Sequence, residues 1–547
     1  MTATSPATTP VVALDDPSTI AGDRFDLAVI GGGMLGACAA WEASRRGLRV
    51  LLVEAGDFGA ATSANSLKIV HGGLRYLQHL DLRRFRESVT ERSFWLRAAP
   101  HLVEPLPVVF PASGRGLKSL PVLRMGLLLN DLLSFRRNRG VNQDRWIPSG
   151  RVVGLDELMR RVPLFESDPP PGAVLFHDAL FRFPERLVLS VVEAGARAGA
   201  LPLNHVRLVR GGPAPDAGID LELFDEIRGR SFTVTVRAVL NACGSSVDEV
   251  AGLLLGSEQK VSPAWSTAIN LVVDHQGHDA AFALPARARG PEGGGRQLFV
   301  VPWSGRTMIG TGHYVVDGPP PRDAAQREAH KEMDAERFLA EVNAAWPGGG
   351  TFDRDDVRLV HWGLLPCEVG STGGDVRLIR RHRIVEHGPD GLPGAFSLLG
   401  VKLTTGRAAA RDAVDAVSKA LDHRASGDGA GEVRLPHAPD RPLSELRPEV
   451  ERTAGGHLAP DVADALAQDY GEAALEIAEL VQRRPALAER VGGRESPVIL
   501  AQFVHGVRSE RARTAQDLVW RRTSLGPRGL ATDSIERRAQ EFIDGAA

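Results

Sequence analysis

The chain has 547 residues, a formal net charge of -3, 43% hydrophobic residues and 24% charged residues. A single core rarely grows past about 250–300 residues, so two or three domains are expected. The balance of 65 basic and 68 acidic residues argues against a nucleic-acid partner. The widely spaced Cys38, Cys243 and Cys367 exclude a CxxC metal or redox pair and argue against a disulfide framework, so we predict a cytoplasmic protein without a metal site.

The N-terminal segment 1–23 is rich in Thr, Ala, Pro and Ser and contains no Lys or Arg. It therefore lacks the basic and apolar regions of a signal peptide, and we predict a disordered leader. No run approaches the ~18 consecutive apolar residues that a membrane-spanning helix needs. Peripheral attachment to a membrane stays open.

The first folded segment has the pattern of a βαβ unit. A short apolar run at Phe25–Ile30 predicts a strand, Met34–Arg46 has the spacing of a helix that Gly47 ends, and Arg49–Glu54 predicts a second strand. Two strands joined through a helix in this way lie parallel in a sheet that is covered on both faces.

Three glycines between the first strand and the helix form G-x-G-x-x-G. Gly31 permits the tight turn, Gly33 lets the backbone approach a pyrophosphate, and Gly36 packs the helix against the strand. Glu54 ends the second strand, where its carboxylate can accept hydrogen bonds from ribose hydroxyls. The pattern predicts a dinucleotide site, but FAD and NAD share it.

Later segments predict the rest of this sheet and a second one. Phe232–Leu240 and Ala395–Leu399 read as strands of the cofactor domain, which is therefore discontinuous. Gln297–Val301 and Thr307–Ile309 read as paired antiparallel strands around a turn at Ser304-Gly305.

The predicted domain organisation has three parts after the leader. We expect an α/β, Rossmann-like cofactor-binding domain, an antiparallel-sheet substrate domain and a C-terminal helical domain. A rise in Gly, Ala, Asp and Pro from Arg424 to Pro442 predicts a linker before the last of these. The predicted boundaries are 24–113, 185–260 and 370–425 for the cofactor domain, 114–184 and 261–369 for the substrate domain, 426–442 for the linker, and 443–547 for the helical domain.

Two motifs after the βαβ unit indicate which cofactor binds. Ala61–Ser66 is a cluster of small hydroxyl and amide residues, and His71–Tyr76 reads H-G-G-L-R-Y. Here the sequence resembles the FAD-dependent glycerol-3-phosphate dehydrogenases, a group of DAO-type flavoproteins in which similar segments lie against the flavin. Further motifs resemble that family's in the same order, so the resemblance extends from residue 24 to about 530: Phe299–Trp303, Ile309–Thr311, Gly400–Thr405 and Val519–Thr523.

The resemblance implies non-covalent FAD and a set of residues around it. Gly400–Thr405 lies between a predicted strand and the predicted helix Arg407–Leu421, so its free backbone N–H groups can face an anion or a carbonyl. In the resembling family this helix end meets the pyrimidine side of the flavin. Beyond the βαβ unit, the predicted cofactor residues are Thr62, Ser63, Ser66, His71, Gly72, Gly73, Gly244, Gly400, Lys402, Leu403 and Thr404.

Four residues are the candidates for substrate binding and catalysis. Arg75 and Lys402 each follow a predicted cofactor segment and can fix an anionic substrate, although a structural ion pair is the alternative for both. Tyr76 can hydrogen-bond the same ligand or lie in the core. His313 can titrate near neutral pH, although a solvated turn histidine is the alternative.

Two departures from the family pattern fall in the predicted substrate site. Leu365 stands where the resembling family has a phosphate-binding arginine, and Asn270 stands where it has a histidine. We expect either another cation, such as Arg306, Arg380 or Arg381, to reach the phosphate, or a different substrate to bind. The family's N-A-T-G-x-W appears here as Asn241-Ala242-Cys243-Gly244-Ser245-Ser246, which is expected to keep the turn under the cofactor.

The predicted activity is hydride transfer from glycerol 3-phosphate, or a related polyol phosphate or hydroxy compound, to the flavin. The alternatives are a flavoenzyme for another hydroxy or amino substrate and a flavoprotein without turnover. The resemblance implies a quinone or another electron acceptor, and a homodimer stays open. The leucine-rich segment Leu117–Phe135, with basic residues at both ends, suits either a buried interdomain helix or a helix on the inner face of the cell membrane.

Overall fold

A computed structural model describes residues 16–77, 80–112, 116–166, 169–275, 277–289, 295–318, 320–321, 323–347, 352–370, 376–424 and 434–545. In chain order its strands are β1 (Arg24–Ile30), β2 (Val50–Glu54), β3 (Ile69–Val70), β4 (Val103–Pro111), β5 (Arg151–Val153), β6 (Ala173–Phe181), β7 (Leu201–Asn204), β8 (Val206–Pro213), β9 (Ile219–Asp225), β10 (Arg230–Asn241), β11 (Ala264–Val273), β12 (Ala281–Arg289), β13 (Gly295–Trp303), β14 (Arg306–Val315), β15 (Val357–Cys367), β16 (Arg383–Glu386) and β17 (Ala395–Leu399).

The helices that pack on or between the two sheets are α1 (Met34–Arg45), α2 (Leu74–Leu77), α3 (Leu82–Ala98), α4 (Leu120–Leu133), α5 (Leu155–Arg161), α6 (Pro184–Arg197), α7 (Val247–Leu255), α8 (Ala324–Ala345) and α9 (Gly406–Ala420). The helices of the C-terminal region are α10 (Leu443–Thr453), α11 (Pro460–Tyr470), α12 (Ala473–Arg483), α13 (Leu500–Ser509) and α14 (Asp533–Asp544).

The first sheet has a parallel centre in the order β17-β10-β1-β2-β7. Both faces of β1 are buried: Leu27 and Val29 lie in a core with α1, α6 and α9, while Ala28 and Ile30 lie in a core with β8 and β9. The predicted βαβ unit and the two later strands of this sheet are confirmed within one or two residues.

The second sheet is mostly antiparallel, in the order β15-β11-β14-β13-β12-β4-β6-β3. The predicted hairpin is confirmed, since β13 and β14 pair around Ser304-Gly305, both with positive φ. The structure differs from the predicted boundary 24–113, because β3 and β4 pair in this second sheet.

The structure describes part of each of the two segments that were expected to be irregular. Residues 1–15 and 425–433 lie outside the described part of the chain. The rest of the leader is folded, contrary to the prediction: Asp16 caps a helical turn at Pro17–Ile20, and the apolar Ile20 side chain is buried against the first sheet. In the predicted linker, the buried Leu435 donates its backbone N–H to the carbonyl of Ala98 at 2.9 Å.

Helices α10–α14 share a hydrophobic core of their own, as the sequence predicts for the C-terminal region. Ionic contacts join this region to the first sheet. Arg521 and Arg522 both bind the buried carboxylate of Asp57, with Nε of Arg521 at 2.5 Å and a terminal nitrogen of Arg522 at 2.9 Å. Arg186 of α6 pairs with Glu510 at 2.7 Å.

Helix α4 has its apolar side exposed. Met125, Leu132 and the following Phe135 are 66%, 70% and 72% exposed, so this segment is not a buried interdomain helix, although Leu127 on its other side is buried. A search of the described helices finds none whose length and hydropathy would let it cross a bilayer.

Candidate functional site

The glycine turn after β1 forms a close-packed cradle. Gly31 has φ +105°, and a Cβ there would lie 2.7 Å from the carbonyl oxygen of Ala242 at the end of β10. A Cβ on Gly36 would overlap the carbonyl oxygen of Gly31, so the third glycine is required for packing. Gly33 stands at the start of α1. A Cβ on it would lie 3.2 Å from Ser63 Oγ and would fill the space that a pyrophosphate needs.

Glu54 is held at the end of β2 by backbone donors. Its Oε2 accepts from the N–H of Gly32 at 2.7 Å, and its Oε1 accepts from the N–H of Gly56 at 2.8 Å. Burial raises the pKa of Glu54, and these two hydrogen bonds oppose that shift. The carboxylate is fixed beside the glycine turn, where the sequence places a ribose ligand.

Two helix N-termini meet beside this turn. A Cβ on Gly406, the first residue of α9, would lie 2.8 Å from the side chain of Met34, the first residue of α1. The Gly400–Thr405 segment that precedes α9 is anchored from α3, because Trp95 donates its indole N–H to the carbonyl of Thr404 at 3.0 Å. Free N–H groups and helix dipoles thus converge on one side of the sheet, which favours an anionic or carbonyl-bearing ligand.

The serine-rich segment contacts both the helix and the second sheet. Ser63 Oγ accepts from the N–H of Met34 at 3.1 Å, and Ser66 Oγ accepts from the N–H of Lys68 at 3.3 Å. Thr62 lies against β15, where a Cβ on Gly363 would be 3.1 Å from its Oγ1. The segment therefore lies between the two predicted domains.

A buried ion pair that the sequence did not reveal holds the H-G-G segment. Asp178 of β6 accepts the N–H of Gly72 at 2.6 Å and pairs with Arg92 of α3 at 2.9 Å, and His71 Nδ1 is 3.5 Å from the same carboxylate. Burial works against ionisation of Asp178, but His71, Arg92 and the Gly72 N–H together lower its pKa. A Cβ on Gly72 would overlap the Arg92 guanidinium, which explains this glycine.

The turn after β10 is fixed by a buried amide. Asn241 donates from Nδ2 to the carbonyl of Val247 at 2.8 Å, and its Oδ1 accepts from the N–H of Cys243 at 3.3 Å. Gly244 follows with φ +55°. The expected turn is therefore present next to Gly31.

A cavity of about 300 Å³ opens between α3, α9 and residues 379–402. It is lined by the predicted substrate residues Tyr76 and Lys402 and by Gly400. Two cations lie against the Tyr76 ring: the Lys402 ammonium is 4.5 Å from the ring centroid, and the Arg84 guanidinium is 4.4 Å from it. Arg84 is fixed by Asp81, whose carboxylate accepts from its Nε at 2.6 Å.

Two of the three arginines that were expected to replace the family's phosphate-binding arginine lie at this cavity. Arg380 and Arg381 line it, and both are exposed. Arg306 does not line it, because its Nε binds Asp274 at 2.6 Å in another part of the second sheet. The sequence offered the three as equals, and no local signal in it separates them.

The other candidates are placed differently. His313, half-buried on β14, does not line the cavity, whereas His382, which the sequence analysis overlooked, lines it and lies 3.1 Å from Asp412. The backbone of Arg75 belongs to α2, but its side chain lies outside the described part of the structure. The assigned roles of Arg75, Tyr76, Lys402 and His313 stay predictions.

The two departures from the family pattern lie on β11 and β15. Asn270 is buried and has a structural role: its Nδ2 donates to the carbonyl of Asn65 at 3.4 Å, and its Oδ1 accepts from Thr311 at 2.8 Å. Leu365 lies opposite Ser266 in the β11–β15 register, half-buried and without charge.

Comparison with protein families identifies the class. Residues 26–416 match the family described as FAD dependent oxidoreductase, and residues 429–541 match the C-terminal domain of alpha-glycerophosphate oxidase. The chain belongs to the FAD-dependent oxidoreductase family, and its cofactor is FAD.

Similar proteins point to a narrower group within this class of oxidoreductases. The chain is 32% identical over 513 residues to the glycerol-3-phosphate dehydrogenase of Synechocystis sp., covering 92% of this chain and 89% of the relative. It is 29% identical to the human mitochondrial glycerol-3-phosphate dehydrogenase, covering 92% of this chain and 67% of the relative. Within its family, the chain therefore groups with the glycerol-3-phosphate dehydrogenases.

Solved structures agree on the fold. A glycerol-3-phosphate dehydrogenase from Bacillus halodurans complexed with FAD superposes with a TM-score of 0.68 at 22% identity, covering 97% of this chain and 95% of that chain. An L-alpha-glycerophosphate oxidase from Mycoplasma pneumoniae with FAD bound gives a TM-score of 0.52 at 16% identity, covering 76% and 98%.

The residues present fit FAD. The glycine cradle leaves room where a Cβ on Gly33 would intrude, Glu54 offers a fixed carboxylate, and the N-termini of α1 and α9 lie side by side. These features suit the pyrophosphate, the ribose and the electron-poor ring of FAD respectively.

Proposed function

We propose that this protein oxidises the secondary alcohol of glycerol 3-phosphate to a ketone and delivers the electrons to a quinone. The observation that carries the proposal is the cavity that brings Tyr76 and Lys402 together with Arg380 and Arg381. The names of its relatives support the same substrate.

The cations in this cavity can replace the phosphate-binding arginine that the resembling family has at the position of Leu365. A phosphate dianion needs several charge-assisted hydrogen bonds, and an arginine offers two parallel donors to it. Arg380 and Arg381 supply such donors from the loop before β16, although the β15 position has none. The phosphate is therefore bound from a different direction than the family pattern implies.

Bound FAD supplies the removal of a hydride from a carbinol carbon and the later transfer of two electrons to an acceptor. The chain's own residues position the substrate for this chemistry. Lys402 and the arginines hold its anionic end, and Tyr76, fixed between α2 and its two neighbouring cations, can hydrogen-bond a hydroxyl. His313, the remaining catalytic candidate, does not line this cavity.

A second candidate function is oxidation of another hydroxy or amino compound. Two observations favour it: Asn270 is engaged in structural hydrogen bonds, and Leu365 puts an uncharged side chain at the family's arginine position. A substrate that is larger or less charged at one end would fit these changes.

Single-turnover reduction of the flavin without oxygen tests the assignment. Glycerol 3-phosphate should bleach the oxidised flavin spectrum with micromolar affinity, whereas glycerol, which lacks the phosphate, should do so only weakly. Bleaching by a hydroxy or amino acid instead would favour the second candidate. A flavin that no substrate reduces would indicate a protein without turnover.

The exposed side of α4 supports a membrane-bound acceptor. Its apolar residues are bordered by exposed cations, an arrangement that suits an anionic lipid surface where quinones are found: Lys118, Arg124, Arg136 and Arg139. Helix α4 would then lie in the plane of the membrane.

Sedimentation with lipid vesicles tests this part separately. The holoenzyme should bind vesicles that contain anionic lipid and bind neutral vesicles weakly. Exchanging the exposed Leu128 and Leu132 for Glu should abolish binding, while Arg160→Glu on α5 serves as a surface control. Equal binding by both variants would exclude α4 as the membrane contact.

A further inference from the structure

The mouth of the substrate cavity carries more positive charge than its neighbouring carboxylates neutralise. The chain as a whole has a net charge of -3, yet the cavity lining contains seven Lys and Arg residues against three acidic ones. Two of those carboxylates are already engaged: Glu91 binds Arg407 at 2.6 Å, and Asp412 lies 3.3 Å from Arg411.

Two of these cations stand on α3, outside the residues assigned to the substrate. Arg83 and Arg86 are three residues apart on one side of the helix, and both are exposed. Neither forms an ion pair within 4.0 Å in the described part of the chain, although Glu87 lines the same cavity. Their neighbour Arg84 differs, because Asp81 and the Tyr76 ring fix it.

We propose that Arg83 and Arg86 capture the dianionic substrate at the mouth of the cavity and guide it toward Lys402, Arg380 and Arg381. The inference rests on the proposed function and deepens it. Cations that line a cleft concentrate anions there and can raise association rates by about 10–10³-fold, an effect that falls steeply with ionic strength. Lys402, Arg380 and Arg381 in the same cleft then hold the substrate.

This role requires that the two arginines keep their charge free. An arginine bound to a carboxylate, like Arg407 to Glu91, adds little to the field outside the protein. Arg83 and Arg86 extend from α3, which Trp95 anchors to the Gly400–Thr405 segment. The helix that carries them therefore holds a fixed position relative to the cavity.

The experiment compares charge reversal at the mouth with charge reversal elsewhere. In the FAD-loaded protein, Arg83→Glu/Arg86→Glu is matched by Arg160→Glu/Arg508→Glu, which changes net charge equally on exposed positions away from the cavity. The second-order rate constant for flavin reduction by glycerol 3-phosphate is measured at ionic strengths from roughly 0.01 to 0.5 M, where the Debye length falls from about 30 Å to under 8 Å.

The mouth variant should react about tenfold more slowly at low salt and approach the wild type at high salt, while the control stays within about twofold throughout. Binding of inorganic phosphate, measured by calorimetry, should weaken in the mouth variant alone. A loss that persists at high salt would indicate a structural defect and overturn the proposal, as would equal rates at all salt concentrations.

The two arms separate this inference from the proposed function. If glycerol 3-phosphate does not reduce the wild-type flavin, the proposed function fails, but phosphate binding still decides the role of the mouth. Equal phosphate affinity in the mouth variant and the control would overturn the proposed role of Arg83 and Arg86. The neutral variant Arg83→Gln/Arg86→Gln, which lacks the added carboxylates, should give intermediate values.

Discussion

Two groups of arginines in this molecule use the same side chain in opposite ways. Between the C-terminal helices and the first sheet, Arg522 is fully buried and its guanidinium binds Asp57. At the substrate cavity, Arg380 and Arg381 are exposed and face a space enclosed by other cations. One group fixes the structure, and the other is available to a ligand.

The difference lies in desolvation. Removing a guanidinium from water costs several kcal/mol, so a buried arginine persists only when carboxylates and carbonyls surround it. Arg522 meets this condition, since it also donates to the carbonyls of Glu510 and Arg511. The cavity arginines stay hydrated, so a phosphate can take the place of their water at lower cost. The groups around an arginine, more than the arginine itself, decide whether it holds two parts of the structure together or binds a ligand.

Removing Arg522 should have the largest effect. Arg522→Ala removes one of the two arginines that bind the buried Asp57, and breaking a buried pair in this way typically costs about 3–5 kcal/mol. Urea unfolding of the holoenzyme measures it, with the exposed Arg508→Ala on α13 as the control. A loss below about 1 kcal/mol would show that this interface does not depend on its ions.

On the cavity side, Arg381→Ala should weaken glycerol 3-phosphate binding about 30-fold while leaving unfolding unchanged, because a close charged contact is lost without a buried partner being stranded. Arg306→Ala is the matched control, since that arginine lies outside the cavity. Flavin reduction titrated with substrate gives the affinity. Equal losses in both variants would mean that the cavity is not the phosphate site.

A smaller effect should appear with pH at His437, which lies in the predicted linker and contacts Glu193 of α6 at 3.0 Å. Burial opposes protonation, but Glu193 raises the pKa of His437 above its ordinary 6.5, while His437 lowers the pKa of Glu193. The stabilisation that goes with a raised histidine pKa is fully present below about pH 6.5 and is lost as pH rises through the raised pKa.

His437→Gln should therefore lower the free energy of unfolding by about 1 kcal/mol at pH 6 and hardly at all near pH 9. The carboxylate stays ionised at both values, so only the imidazole titrates. Urea unfolding at the two pH values checks this. A cost that is constant with pH would assign the contact to packing instead of charge.

The smallest effect should come from restoring the family's arginine. Because Arg380 and Arg381 already supply cations, Leu365→Arg should change affinity for glycerol 3-phosphate less than about threefold, or about 0.7 kcal/mol. Single-turnover reduction measures it. A large gain would show that the β15 side is the true phosphate position and that the two loop arginines do not replace it.

The sequence predicted the features that depend on neighbouring residues. The strand, glycine turn and helix around Gly31 are local, as is the apolar run of β17, and both were found within one or two residues. The hairpin at Ser304-Gly305 was also predictable, because two glycine-compatible turn positions separate alternating strands.

What the sequence did not reveal depends on residues far apart in the chain. Asp178 binds Gly72 across a separation of 106 positions and pairs with Arg92 across 86. Asp57 meets Arg522 across 465 positions. Charged residues of this kind show no periodicity, so their burial and their partners follow only from the fold. The exposure of α4 is a similar case, since an apolar helix reads alike whether protein or solvent covers it.

The contact between Asp57 and Arg522 also constrains the order of events during synthesis. Asp57 follows the second strand of the βαβ unit by three residues, so it leaves the ribosome long before its counter-ions. Arg521 and Arg522 follow it by 464 and 465 positions. The nascent chain must keep this carboxylate hydrated until Arg521 and Arg522 have been made, because a buried carboxylate without its counter-ions is costly. The loop beside Glu54 is therefore buried against the C-terminal region only late in folding.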